Sequence, residues 1–366
     1  MNKMKTTLLA AMISVASGSA LAIDQLNVFQ KDQPATAESV NANFKYLEDK
    51  IGASSESIDC TSTPQALREY MLNAKFAGDL TVNVIGECAG PVQIFKDDVT
   101  INGGTVFIEQ NAPASFAILN QSNITLQGVT IQSGSVRIAR EASVEFKNVT
   151  LPEPKSTTDH DDDPDILPNV IVESSTLSFE SGDLNNLSLL ARANTSIVLK
   201  SGLANPAEKI ELVDNSSLIS EHTPLKIERD LSVFNNSSMT AGAIEAKGEI
   251  DLETSSSLVA DKLTTESALE VENGSSIEVV NDDETAVTAK SFECGSSSMA
   301  IEGGIKLTGQ MNWNGNNPPA WFARSCSGEL DGDYEGGIIN AERSPVRIQR
   351  TDNGQYQELW LDQDSI

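Results

Sequence analysis

The chain has 366 residues, with 53 acidic against 25 basic side chains and a formal net charge of −28. A field of that sign repels nucleic acid and anionic membranes; it admits divalent cations, basic partners or a role in solubility alone. After residue 22 no stretch comes near the ~20 consecutive apolar residues that a membrane-crossing helix needs.

The first 22 residues read as a secretory signal peptide. Lys3 and Lys5 form a short basic end, Leu8 to Ala16 is a short apolar run, and Ser19-Ala20-Leu21-Ala22 places small residues at −3 and −1 of a cut after Ala22. Loss of Lys3 and Lys5 brings the mature chain to about −30. The expected destination is the periplasm or the outside of a Gram-negative-type bacterium.

Residues 23–56 read as a linker and a short helical stem. Val40, Phe44, Leu47 and Ile51 are spaced 4, 3 and 4, which is a heptad seam. The segment QPATAESVNANFKYLEDKI is similar to one that follows the signal peptide in many exported bacterial proteins and in fibre-like trimers. Two heptads are too short to hold a coiled coil alone. Two readings stand: a helix packed on its own chain, or an oligomeric stem, here a homotrimer through residues 36–54.

Next comes a capping helix within residues 63–77. Thr63 is the expected N-cap, Pro64 suits the first turn, and Leu67, Tyr70, Met71 and Ala74 share one face. The four cysteines fall in two separated pairs, and an even count in an exported chain favours disulfides. Of the three connectivities, the local one is expected: Cys60–Cys88 and Cys294–Cys326. No two cysteines have a zinc-like spacing.

The middle of the chain repeats itself. Short windows such as ANTSIVL, DNSSLIS, TSSSLVA and NGSSIEV place an apolar residue after a small hydroxyl. The apolar positions are Val144, Leu177, Ile197, Leu218, Met239, Leu258, Ile277 and Met299, spaced 33, 20, 21, 21, 19, 19 and 22. The interval of 33 contains the polar stretch Glu153 to Asp165. Ile124 and Val99 extend the series backwards. A period near 20 with alternating strands, and with Gly, Asn, Asp and Ser between them, marks a solenoid. The leucine-rich consensus is missing, so the expected fold is all-β: a right-handed parallel β-helix of ~20-residue coils. It should occupy residues 57–310, with an acidic insertion at 152–168 and a C-terminal cap at 311–366. That cap holds Trp313, Trp321 and Trp360. The serine or threonine before each apolar residue, from Ser143 through Ser298, should form a ladder that bonds to turn backbone.

A cysteine, the helix TPQALREYMLNAKFAG and then LTVNVIGECAGPVQIFKDDVTINGG resemble the N-terminal entry of pectate-lyase-like right-handed β-helix proteins. The resemblance covers residues 57 to about 340 as architecture. It implies a superfamily, not an activity. Lyase sites of that superfamily resemble an acidic calcium cluster facing an arginine, and polygalacturonase-type sites use aspartates with a His and an Arg–Lys pair. The chain departs from both. Between residues 170 and 310 its arginines are Arg192 and Arg229 and its histidine is His222, and no acid–base pair stands out in the strands. Arg137 and Arg140, three apart, should lie on opposite faces of one strand, with Lys147 nearby.

The sharpest local feature is PEPKSTTDHDDDPDILP. Asp161, Asp163 and Asp165 alternate like the early positions of a calcium loop, although the turn glycine and distal Glu of an EF-hand are missing. Calcium is therefore the one cofactor expectation, against an acidic loop without a ligand; His160 as a base is a third reading. Asp331, Asp333 and Glu335 form a second, weaker oxygen cluster that reads better as turn chemistry. The leading functional expectation is an exported, non-catalytic β-helix with a surface or extracellular binding or structural role, its partner a polysaccharide or cell-surface component. The rival is a polysaccharide-active lyase or glycosidase with a site near the 152–168 loop.

Overall fold

The computed structural model describes residues 36–51, 54–74, 78–108, 114–156, 166–281, 285–309, 321–335, 339–352 and 355–361. The signal-peptide expectation, Asp161, Asp163, Asp165 and His160, and Trp313 lie outside the described residues.

The chain is an all-β parallel solenoid. Apolar and polar residues alternate along each strand, so one set points into the cylinder. The aligned residues of the repeats are the residues that pair. Val99, Ile124, Val144, Leu177, Ile197, Leu218, Met239, Leu258, Ile277 and Met299 stack in one register column. Each is at most 4% exposed. Burying one such side chain stabilises the fold by about 1.5–3 kcal/mol. No single coil could bury its own column; the next coil does it.

The section has three sides. One side is the stack of serine-led strands that contains this column. A second is a twelve-stranded sheet running from Val92–Ile94 to Ile339–Glu342. The third begins as the strands Glu87–Gly90, Thr105–Ile108 and Thr130–Ile131. Beyond the insertion it continues through Leu225–Ile227, the ends of Ser238–Ala246 and Ser257–Thr265, and Val287–Ala289. The parallel register extends past residue 310 through Trp321–Arg324 and Ile339–Glu342. Trp321 is fully buried there, with ring centroids 5.4 Å from Phe292 and 5.5 Å from Tyr334. The final strands, Val346–Asp352 and Gln355–Leu361, pair antiparallel.

The corner between the twelve-stranded side and the serine-led side is the same in coil after coil. Two successive residues take left-handed backbone: Ala193-Asn194, Asp214-Asn215, Asn235-Asn236, Thr254-Ser255 and Asn273-Gly274. Asn, Asp and Gly tolerate that conformation best, which explains their recurrence. The residue that follows is a buried hydroxyl: Thr195, Ser216, Ser237, Ser256 or Ser275. Its oxygen closes the corner. Thr195, Ser216 and Ser256 each donate to a carbonyl three residues back at 2.7 Å. Ser237 and Ser275 accept from the backbone N–H of Ser216 and Ser256, one coil away, at 3.2 Å. The expected ladder from Ser143 to Ser298 is present as a register column. It stands half-exposed or exposed, and the hydroxyls that bond to turn backbone are those one position earlier.

Both N-terminal helices form. α1, Ala37–Ile51, starts at Thr36, whose Oγ1 accepts from the Ser39 N–H at 3.2 Å. Val40 is half-buried and Phe44 is 60% exposed; the side chains of Leu47 and Ile51 lie outside the described part. α2, Ala66–Asn73, buries Leu67 and Met71 over the first coils, with Tyr70 and Ala74 packed beside them. Its N-cap is Gln65 and not Thr63, because residues 64–65 form a turn before the helix; Thr63 contributes its carbonyl to the Ala66 N–H. Cys60–Cys88 ties this cap to the first coils, and Cys294–Cys326 ties two coils near the other end. All four cysteines are buried. No helix among the described residues is long and apolar enough to cross a membrane.

Two measurements follow. Ser275→Ala leaves the buried N–H of Ser256 without its acceptor and should cost about 1–3 kcal/mol in urea unfolding. Ser276→Ala, on the half-exposed ladder next door, should change stability by less than about 0.5 kcal/mol. Equal effects would show that the inner hydroxyl has no special role. Reduction of both disulfides should raise hydrogen exchange first in residues 54–90 and 291–331, with residues 188–246 lagging. Uniform loss of protection along all coils would count against end-first opening.

Candidate functional site

The solenoid displays its outward side chains in columns, so each functional group has a fixed neighbour one rung, or about 4.8 Å, away. On the twelve-stranded side, Arg137 is exposed on the strand Val136–Ala139. It pairs with Glu173 at 3.2 Å, and Arg192 reaches the same carboxylate at 3.4 Å. Burial pushes the Glu173 carboxyl up, but hydrogen bonds and charge from Arg137 and Arg192 outweigh it and leave the pKa lowered. The strand ends before Arg140, which sits exposed in a left-handed turn. Arg137 and Arg140 are therefore not opposite faces of one strand, because the corner intervenes. Lys147 is held by Glu145.

His222 is half-buried, and desolvation alone lowers its pKa. Glu335 of the weaker oxygen cluster is bound to Lys306 at 3.0 Å, while Asp331 and Asp333 are exposed at the end of a strand and in the turn after it. Among the described residues, no group of three or more His, Cys, Asp or Glu side chains is placed to hold a metal ion.

The insertion leaves the solenoid after the strand Ser143–Val149 and returns before Val170–Glu173. Its foot is a two-stranded neck, with Ser156 bridged antiparallel to Ile166. Beside this neck lies an open groove of about 590 Å³. Pro152, Pro154, Leu167 and Pro168 wall one flank, with Leu167 47% exposed. Gln132, Ser133 and Asn169 bring amide and hydroxyl groups, and Glu153 and Lys155 bring one charge of each sign. Asn169 is fully engaged in building the neck: its amide donates to the carbonyls of Pro152 at 2.9 Å and Asn186 at 2.6 Å. Gln132 is exposed toward solvent. Thr130–Ile131 is the last strand of the short third sheet; the next coil meets it only through the Thr130–Thr150 bridge before the chain departs into the insertion, and the groove opens there.

Sequence reasoning missed a second feature, farther along the same twelve-stranded side. Asp251, Glu270 and Glu293 are consecutive partners in one column, with Glu253 and Glu272 two residues farther along the first two of these strands. Glu249 stands just before the first of these strands, and its carboxyl meets that of Glu270. Burial, followed by the charges of Glu253, Glu270 and Glu272, pushes Asp251 up to about 7. Burial, then the Glu249 carboxyl, pushes Glu270 to about 7. Glu249 and Glu272 are also raised, burial being the largest cause in both. The signal was in the sequence: Asp251 and Glu270 are 19 apart, as are Glu253 and Glu272, which is the local repeat interval. Alternation along each strand was legible, but carboxylates facing one another across strands need the register.

No protein-family model, curated protein or solved structure that was compared with the chain matches it.

Proposed function

We propose that this chain is an exported, non-catalytic β-solenoid that binds a polysaccharide or cell-surface component in the groove at the foot of the 152–168 insertion. The groove is the observation that supports the reading. A prolyl and leucyl wall beside the exposed Gln132 amide and the half-buried Ser133 hydroxyl suits a sugar ring, which has apolar faces and a polar rim. The two buried disulfides mark folding in an oxidising compartment, in keeping with export to the periplasm or beyond. The right-handed, pectate-lyase-like ancestry suggested by the N-terminal entry belongs to this proposal. Calcium binding by Asp161, Asp163 and Asp165, read from their alternation in the sequence, belongs to the same proposal.

One observation favours the rival, a polysaccharide lyase or glycoside hydrolase: Glu153 and Lys155 line the same groove. The test is a panel of acidic and neutral polysaccharides, each with and without calcium, read for binding and for new reducing or unsaturated ends. Binding without product, weakened about tenfold by Leu167→Asp or Gln132→Ala, is the expected result. Product formation abolished by Glu153→Gln would overturn the non-catalytic reading. Absence of binding across the panel would sink the polysaccharide reading.

The stem belongs to the same proposal. α1 presents Phe44 to solvent on a heptad seam with Val40, Leu47 and Ile51, and that seam suits three parallel copies. Sedimentation of the exported protein should give a trimer that Phe44→Asp converts to monomer. A wild-type monomer at micromolar concentration would refute it.

A further inference from the structure

The twelve-stranded side changes character along its length, and its far part is built in an unfavourable way. Coil stacking puts like over like. For hydroxyls that is harmless; for carboxylates directly opposite one another it is destabilising. Six acidic side chains occupy three successive rungs: Glu249, Asp251 and Glu253, then Glu270 and Glu272, then Glu293. Asp251 Oδ1 is buried and accepts no hydrogen bond. No ion pair involves any of the six among the described residues.

The groups facing this ladder come from the strands on either side. From the preceding rungs come Asp230, whose carboxylate accepts from the Glu249 N–H at 2.9 Å, with Ser232 and Phe234. Beyond them Glu211 is held by Lys209 at 3.7 Å, and Arg229 by Glu208 at 3.1 Å. From the following rung come Phe322 and Arg324, the latter drawing down the Glu272 pKa in part. The cations near the ladder are thus engaged with other acids or sit at its edge.

We propose that the ladder of Glu249, Asp251, Glu253, Glu270, Glu272 and Glu293 makes the coils from residue 249 to 295 a pH-responsive element, tightened on acidification and loosened above neutrality. A proton shared between facing carboxyls turns a repulsive pair into a hydrogen-bonded one, as the contacts of Glu249 with Glu270 and of Glu272 with Glu293 allow. The shifts carry the sign. Asp251 and Glu270 titrate near 7 when folded, above their ordinary values of 3.8 and 4.5. The folded chain therefore holds more protons than the unfolded one between those limits, so stability falls as pH rises from about 4 to about 7 and stays low above. The direction is opposite to ordinary acid unfolding. In a solenoid each coil contacts its neighbours alone, so the loosening is local.

Hydrogen exchange tests this, measured at about pH 5.5 and about pH 8.5 and corrected for the intrinsic rate. The strands Ile250–Glu253, Ala268–Glu272 and Ser291–Gly295 are the probes; Ser188–Arg192 and Lys209–Val213, on the same sheet, are the reference. Protection of the probes relative to the reference should be about tenfold greater at the lower pH. Asp251→Asn and Glu270→Gln should each flatten that dependence. Glu278→Gln, exposed on the serine-led side of the same coils, removes equal charge and should leave it unchanged. Parallel changes in probe and reference, or flattening by Glu278→Gln as large as by Glu270→Gln, would overturn the proposal and make net charge the cause.

Discussion

Everything in this molecule rests on one coil hydrogen-bonding to the next in a fixed parallel register. The inner column from Val99 to Met299 is buried because each coil covers its predecessor. The corners hold because a hydroxyl in one coil closes the turn of its own coil or receives an N–H from the neighbouring one. Both kinds of contact repeat at the rung spacing, so a single geometry is tested many times over.

The same geometry distributes benefit and strain. Side chains that both donate and accept gain from having their own kind one rung away, and Asn102 donating to Asn83 Oδ1 at 2.9 Å is one such contact. Apolar side chains gain by excluding water. Carboxylates gain nothing, and the region from residue 249 to 295 places them in facing positions all the same. A charged column thus marks a place where stacking works against itself, and its energy depends on protons or on whatever cation lies near. At the other end of the same side, Arg137 and Arg192 share Glu173, and acid and base are interleaved. One sheet therefore carries a part where acids and bases alternate and a part where carboxyls face one another.

Function on such a cylinder is confined to places where the repeat is broken or decorated. The insertion breaks it: the third side is interrupted, a neck forms from Ser156 and Ile166, and a groove opens beside the neck. The acidic ladder decorates it. α1 lies outside the repeat altogether, with Phe44 turned to solvent. These three features share no residues and answer to different chemistry: surface complementarity, proton binding and self-association.

The sequence by itself determined the fold, because a solenoid writes its register into its period: the interval between Leu218 and Met239, or between Leu258 and Ile277, is the interval between paired residues. It also determined the disulfide pairs, since cysteines in neighbouring coils are local in sequence. Only the tertiary structure decided which hydroxyl of each Ser-Ser pair faces inward, because a corner of two left-handed residues sets the phase of the strand that follows. It decided that Arg140 belongs to a corner and not to a strand, for the same reason. And it brought Asp251 against Glu270 and Glu293, residues whose pairing depends on coils of 19 and 23 residues closing to the same rung. Alternation within a strand is a local property of the chain; facing across strands is a property of how coils of unequal length are made to stack.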